Sequence, residues 1–205
     1  MINSKKDLQY YISCDQRALG IKKPGIAKHI KAHLLPQIWY VEYLMRKLEY
    51  AMNCSNKKNP FAKLRIAYLD FRFKSYSIKL GYSLHPNVFG PGLCLAHIGT
   101  IVVNANCRFG SNARIHVDVN IGQYTRGDED FEKRKDEAPS FGNNVYIGPG
   151  AKIFGSISIG DDVAIGANSV VTKDVESHVT VAGAPAKVIN SEGSVGLYKH
   201  GDLNF

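Results

Sequence analysis

Apolar residues recur at two different spacings along this chain, and the change of spacing divides it near residue 81. In the first part they fall three and four apart. Leu8, Tyr11, Ile12 and Leu19 lie to one side of a segment that Ser4 can cap and Gly20 can end, which predicts a first helix. After a KKPG break, Pro36 suits the first turn of a second helix carrying Ile38, Val41, Leu44, Met45, Leu48 and Met52. The polar run SNKKNP reads as a loop. A third helix is expected from Pro60 to the neighbourhood of Phe73, and Gly81 opens a different regime.

From there the period is six. Hexads begin at Phe141, Ile147, Ile153, Ile159, Ile165 and Val171, with Val145, Ala151, Ile157, Val163, Ser169 and Val175 in the fifth position. Glycine fills the second position at Gly142, Gly148, Gly160 and Gly166, where a tight corner favours it. An earlier block starts at Val103, Phe109, Ile115 and Ile121, with Cys107, Ala113, Val119 and Thr125 fifth. The blocks are out of phase by the charged text GDEDFEKRKDEAPS, a loop at 127–140 thrown out of a solenoid. A hexad of one short strand and one corner, three to a coil, makes a triangular parallel β-helix whose aliphatic and small positions fill the prism. Six residues before Val103 the pattern asks for an aliphatic residue, and His97 stands there.

The fold class is therefore mainly β with an α-helical N-terminal domain: helices over 1–81, a β-helix over 82–189 and a tail over 190–205. A composition of 44% hydrophobic and 21% charged residues is that of a globular protein. The opening MINSKKDLQYY has no signal-peptide core and no later run reaches the length of a membrane span, so a cytoplasmic location is expected. Cys14, Cys54, Cys94 and Cys107 have neither metal-site nor CxxC spacing and read as small buried hydrophobes, so no metal is expected.

Charge is uneven. Residues 1–82 hold 16 Lys and Arg against 5 Asp and Glu, and residues 83–205 hold 10 against 13. A basic front is commonly a solvated helical face, and it can also make peripheral contact with a membrane surface. No zinc-finger, helix-turn-helix or RRM pattern supports nucleic acid as a partner.

The hexads, the loop and the ending TVAGAPAKVI together resemble the hexapeptide-repeat acyltransferases over roughly residues 82–189. The stretch GYSLHPNVFGPGLCLAHIGTIVV is similar to their serine acetyltransferase branch, and also to related enzymes that modify sugars in surface polysaccharide pathways. The resemblance implies a left-handed coil, acetyl-CoA as co-substrate and His97 as the general base that takes a proton from the acceptor hydroxyl. An imidazole titrating near neutrality suits that task. Without the resemblance, a histidine that ends the regular register, capped by a carbonyl, is the preferred explanation. His116, one step past Ile115, is expected to point outward.

Three departures bear on the acceptor. Ala96 stands where the branch has an acidic residue before the histidine, and Ser83 where it has another before the His-Pro. Glu137 and Ala138 precede Pro139 where the branch has Arg-His. A zwitterion needs counter-charges at both ends, and a buried charge without one is costly. The losses therefore favour a sugar acceptor held by Ser83, Asn104, His116 and Glu137, with serine as the alternative. They also leave a backbone carbonyl or Glu137 to orient His97.

On the cofactor side the resemblance implies contacts from Gly166, Ala167, Thr172, Gly183 and Lys187, with Lys173 and Lys187 as charges for phosphates. Pro149 stands where alanine is frequent and removes an amide donor. A homotrimer with sites between prisms is implied, with a dimer of trimers left open. A catalytically silent scaffold, binding a partner through the basic helices, is a third reading that CoA binding would separate.

Overall fold

The computed structural model describes residues 1–21, 37–56, 58–123 and 137–197. Three helices come first: α1 at Lys5–Ala18, α2 at Gln37–Cys54 and α3 at Pro60–Leu80. Ser4 caps α1 by accepting the Asp7 N–H at 3.0 Å. α3 runs well beyond Phe73, because Phe73, Ser77 and Leu80 continue one buried face while Lys74 and Lys79 stay outside. It ends at Gly81, which takes a left-handed φ of 81° and donates to Ile78. The KKPG break, Pro36, Thr125 and most of the 127–140 loop lie outside the described residues.

From Tyr82 the chain winds as a coil of short parallel strands on three faces. The first face stacks Tyr82–Ser83, Ile101–Val103, Val119–Gly122, Lys152–Phe154 and Val170–Val171. The second stacks Arg108–Phe109, Ser140–Phe141 and Ser158–Ile159. The third stacks Cys94–Leu95, Arg114–Ile115, Tyr146–Ile147, Ala164–Ile165 and Thr180–Gly183, and an antiparallel strand, Ala186–Asn190, closes it. Val103 pairs with Ile121, 18 positions on, so a full coil is three hexads. Ile121 pairs with Ile153, 32 positions on, which locates the 14-residue insertion at the corner leading from the first face to the second.

The aliphatic and fifth positions fill the prism: Ile115, Val145, Ile147, Ala151, Ile153, Val163 and Ile165 have no exposed surface. Phe89, Phe109 and Phe141 stack through it, with centroids 4.9 and then 4.0 Å apart. The hexad glycines are required for a reason other than corner conformation. Gly142 and Gly148 have ordinary φ, but a Cβ on either would stand 2.8 Å from backbone of the next coil. The left-handed corner residue is the fourth of the hexad, held by Asn112, Asp118, Asn144, Asp162 and Asn168 at φ between 55° and 63°. Their side chains also link coils, Asn112 donating to Asn144 and Asn144 to Asp162, each at 2.8 Å.

The first coil is irregular. Leu95 pairs with Ile115, 20 positions on, so two extra residues lie between Leu95 and Val103. The inward slot belongs to Leu95, which is fully buried, and His97 is exposed at the corner beyond it. The expected inward histidine is corrected by this slip. Gly99 makes the slip possible, with φ at 142° and a would-be Cβ 2.3 Å from Val117 Cγ2.

A solenoid's first coil has no predecessor to pair its backbone, and here buried charges on the helices do so. Arg46, with no exposed surface, donates to the carbonyls of Phe89 at 2.9 Å and Gly90 at 2.7 Å. Asp15 accepts the N–H groups of Gly92 and Leu93 at 2.8 and 2.9 Å, Glu49 that of Asn87 at 2.8 Å and Glu42 that of Leu95 at 3.0 Å. Arg46 also pairs with Asp15 at 2.7 Å and Glu49 at 3.0 Å. Burial alone would lower its pKa, yet the two carboxylates raise it, so it stays charged. For Glu42, burial first and then the nearby Asp15 outweigh the Leu95 amide and the Arg46 charge and push its carboxyl well above the usual range. A solvated basic face thus describes only part of the helices. Of the cysteines, Cys14, Cys94 and Cys107 are buried as expected, whereas Cys54, at the end of α2, is exposed.

Candidate active site

The corner from the third face to the first brings together residues that are far apart in sequence. On successive coils it carries His97, His116, Pro149, then Gly166 and Ala167, then Gly183. Coil-to-coil hydrogen bonds hold the column: His116 N–H to Ile147 at 3.1 Å, Gly166 N–H to Val181 at 2.8 Å and Asn168 N–H to Pro149 at 2.8 Å. Ser169, buried below it, accepts the Gly183 N–H at 3.2 Å.

His97 and His116 face each other with centroids 5.5 Å apart, and His116 lies against Tyr146 at 4.9 Å. The Tyr82 hydroxyl donates to the His97 carbonyl at 2.8 Å and fixes the corner's backbone. No described residue hydrogen-bonds the His97 ring. His116 is half-buried, packed against these rings, and its Nε2 is enclosed without a partner among the described residues. Burial first, then the charges of Arg114 and His97, lower its pKa to about 4. At neutral pH it is uncharged and does not oppose a positive charge forming on His97. Arg114, Tyr146 and Tyr82 were not singled out in the sequence. Arg114 and Tyr146 precede an aliphatic slot, a position whose side chain points out of the prism.

The remaining expected residues are dispersed. Ser83 points outward on the first face, paired with Val102, and Asn104 turns the opposite corner by accepting the Asn106 N–H at 2.8 Å. Neither is hydrogen-bonded to His97. Glu137, near the end of the inserted loop, is exposed. Thr172, Lys173 and Lys187 meet in a groove of ≈ 540 Å³ under the final hairpin, which Asp174 and Glu176 also line. A smaller pocket of ≈ 220 Å³ between the helices and the third face is walled by Ile21, Ile38, Ala96 and Arg114.

Residues 139–173 match the bacterial transferase hexapeptide family, six repeats. Over 114 residues, 55% of this chain and 50% of the relative, the chain is 36% identical to a serine acetyltransferase of Staphylococcus xylosus. Over 113 residues, 55% and 63%, it is 36% identical to one of Helicobacter pylori strain J99. The crystal structure of serine acetyltransferase from Brucella abortus strain S19 superposes with a TM-score of 0.69 at 26% identity, covering 93% of this chain and 72% of that one. Residues 139–173 carry the hexapeptide transferase repeat, and the chain is similar to the serine acetyltransferase-like branch of that family. Its coil is the left-handed β-helix of that family. A Neisseria gonorrhoeae serine acetyltransferase in complex with serine is similar too, with a TM-score of 0.66 at 26% identity over 91% of this chain and 71% of that one. The chain spans about half the length of the staphylococcal relatives it matches. Among the described residues no helix is long and apolar enough to cross a membrane.

Proposed function

We propose that the chain is an acetyl-CoA-dependent O-acetyltransferase in which His97 takes the proton of an acceptor hydroxyl as that hydroxyl attacks the thioester carbonyl. The supporting observation is the single corner column on which His97 and the small residues Gly166, Ala167 and Gly183 stand together. An extended pantetheine arm laid along such a column would put its thioester at one end, beside an exposed imidazole. Small side chains allow that close approach. The groove with Lys173 and Lys187 would take the charged end of CoA. Residues 82–189 form the transferase unit, and the site is completed between prisms of a cytoplasmic homotrimer.

For the acceptor, the names of the relatives favour L-serine over the sugar expected from the lost counter-charges. Arg114 adds to that reading, since its charge acts on His116 and offers a carboxylate a partner. A sugar acceptor remains favoured by Ala96 and Ser83, which supply no charge for an ammonium group. Release of free CoA from acetyl-CoA, measured with L-serine and with neutral sugars, separates them. Turnover of L-serine is expected to exceed that of any sugar by roughly tenfold or more in kcat/KM. The reverse order would move the acceptor to the sugar class. No CoA release and no calorimetric CoA binding would reduce the chain to a silent scaffold.

A further inference from the structure

The third helix is apolar on two opposite faces. Its inner face carries Ile66, Leu69, Phe73, Tyr76 and Leu80 against the core. Its outer face carries Phe61, Leu64, Tyr68, Phe71 and Ile78, spaced three, four, three and seven apart and each between 55% and 81% exposed. That spacing draws one stripe about 100° wide along the helix. Cations border the stripe on both sides, Arg65, Arg72 and Lys79 along one edge and Lys63 and Lys74 along the other. Asp70, the helix's lone acid, is already paired with Lys74 at 2.7 Å. Aromatic groups hold the flanking charges in place: Arg72 donates to the hydroxyls of Tyr68 and Tyr40 at 2.8 and 2.5 Å, and Lys79 sits 5.0 Å over the Tyr76 ring.

We propose that this outer face of α3 docks the protein, as a peripheral contact, on an anionic phospholipid bilayer. Five exposed apolar side chains can enter the boundary of head groups and acyl chains while the bordering Lys and Arg reach the lipid phosphates. Charge decides between this occupant and a second copy of the chain. A self-complementary contact along α3 would bring four uncompensated cations onto four, since Asp70 and Lys74 neutralise each other on each copy. An anionic surface pairs with all of them.

The test is co-sedimentation of the full chain with vesicles of phosphatidylcholine alone and of phosphatidylcholine with phosphatidylglycerol. Partitioning is expected to be about tenfold or more higher on the anionic vesicles and to fall as salt is raised. Replacing Phe61, Leu64, Phe71 and Ile78 together by serine should remove about tenfold or more of that binding with an unchanged thermal transition, since the four side chains are exposed. Arg65→Gln with Lys79→Gln keeps the apolar stripe and should weaken both the binding and its salt dependence. Failure of the wild-type chain to prefer anionic vesicles would overturn the proposal. So would a serine variant that sediments in ultracentrifugation as a smaller assembly than wild type without lipid, because the stripe would then be a contact between copies. No acetyl transfer is measured, so the result stands apart from the enzymatic reading.

Discussion

Replacing His97 by alanine is expected to lower acetyl transfer by roughly 10²–10⁴-fold, the usual contribution of a positioned general base. A hydroxyl is a weak nucleophile at neutral pH, and among the described residues no other imidazole stands exposed on the column. His116 is half-enclosed with its pKa lowered to about 4, so it is a poor proton acceptor at neutral pH. Because His97 is exposed and its ring is not hydrogen-bonded by any described residue, the substitution should alter stability by only about 0.5 kcal/mol or less. CoA affinity, measured by calorimetry, should be nearly unchanged. A variant that keeps near-normal turnover with L-serine or a sugar would remove His97 from the reaction.

The second large effect concerns the joint between helices and coil. Arg46→Met is expected to destabilise the chain by about 3–5 kcal/mol, a large share of the ~5–15 kcal/mol typical of a domain. Methionine keeps much of the volume but leaves Asp15 and Glu49 without their cation in a buried place, and the Phe89 and Gly90 carbonyls without donors. A buried ion pair elsewhere can often be replaced by apolar residues at little cost. Here that exchange would also strip the acceptors from the amides of Asn87, Gly92 and Leu93. A urea midpoint reads the loss, and hydrogen exchange at those three amides should rise first. A midpoint shift no larger than that of an exposed substitution would mean that Arg46 does not hold the end of the solenoid.

The coil was legible because its physics is periodic. An inward position recurring every six residues leaves the same trace in every unit, and the phase break around Ile121 and Phe141 measured the insertion as 14 residues, as the pairing of Ile121 with Ile153 requires. The slip at His97 left no such trace. Counting back from Val103 cannot distinguish a slot filled by histidine from two inserted residues, since Leu95 supplies the inward side chain from two places earlier. Glycine at the corners was recognised for the wrong reason: the asparagines and aspartates turn the chain, and the glycines let neighbouring coils approach.

Glu42, Arg46 and Glu49 were hidden for another reason. They flank the apolar stripe of α2 at spacings of four and three, which is also how a solvated helix edge reads. Only the unpaired backbone of a first coil explains why charges are buried there. The same limit applies to the acceptor side. Ser83 and Asn104 are polar residues near the matching text, but sequence proximity could not reveal that one lies on a face and the other at a different corner from His97. Arg114, whose charge reaches His116, stands 17 positions beyond His97 and one coil away.

The account is tested most directly by determining the structure of the chain with CoA bound. The sulfur is expected beside the His97 imidazole, with the pantetheine arm running along the corner past Pro149, Gly166, Ala167 and Gly183 toward the groove of Lys173 and Lys187. A CoA molecule whose sulfur ends on another face or corner of the prism, away from that imidazole, would contradict it.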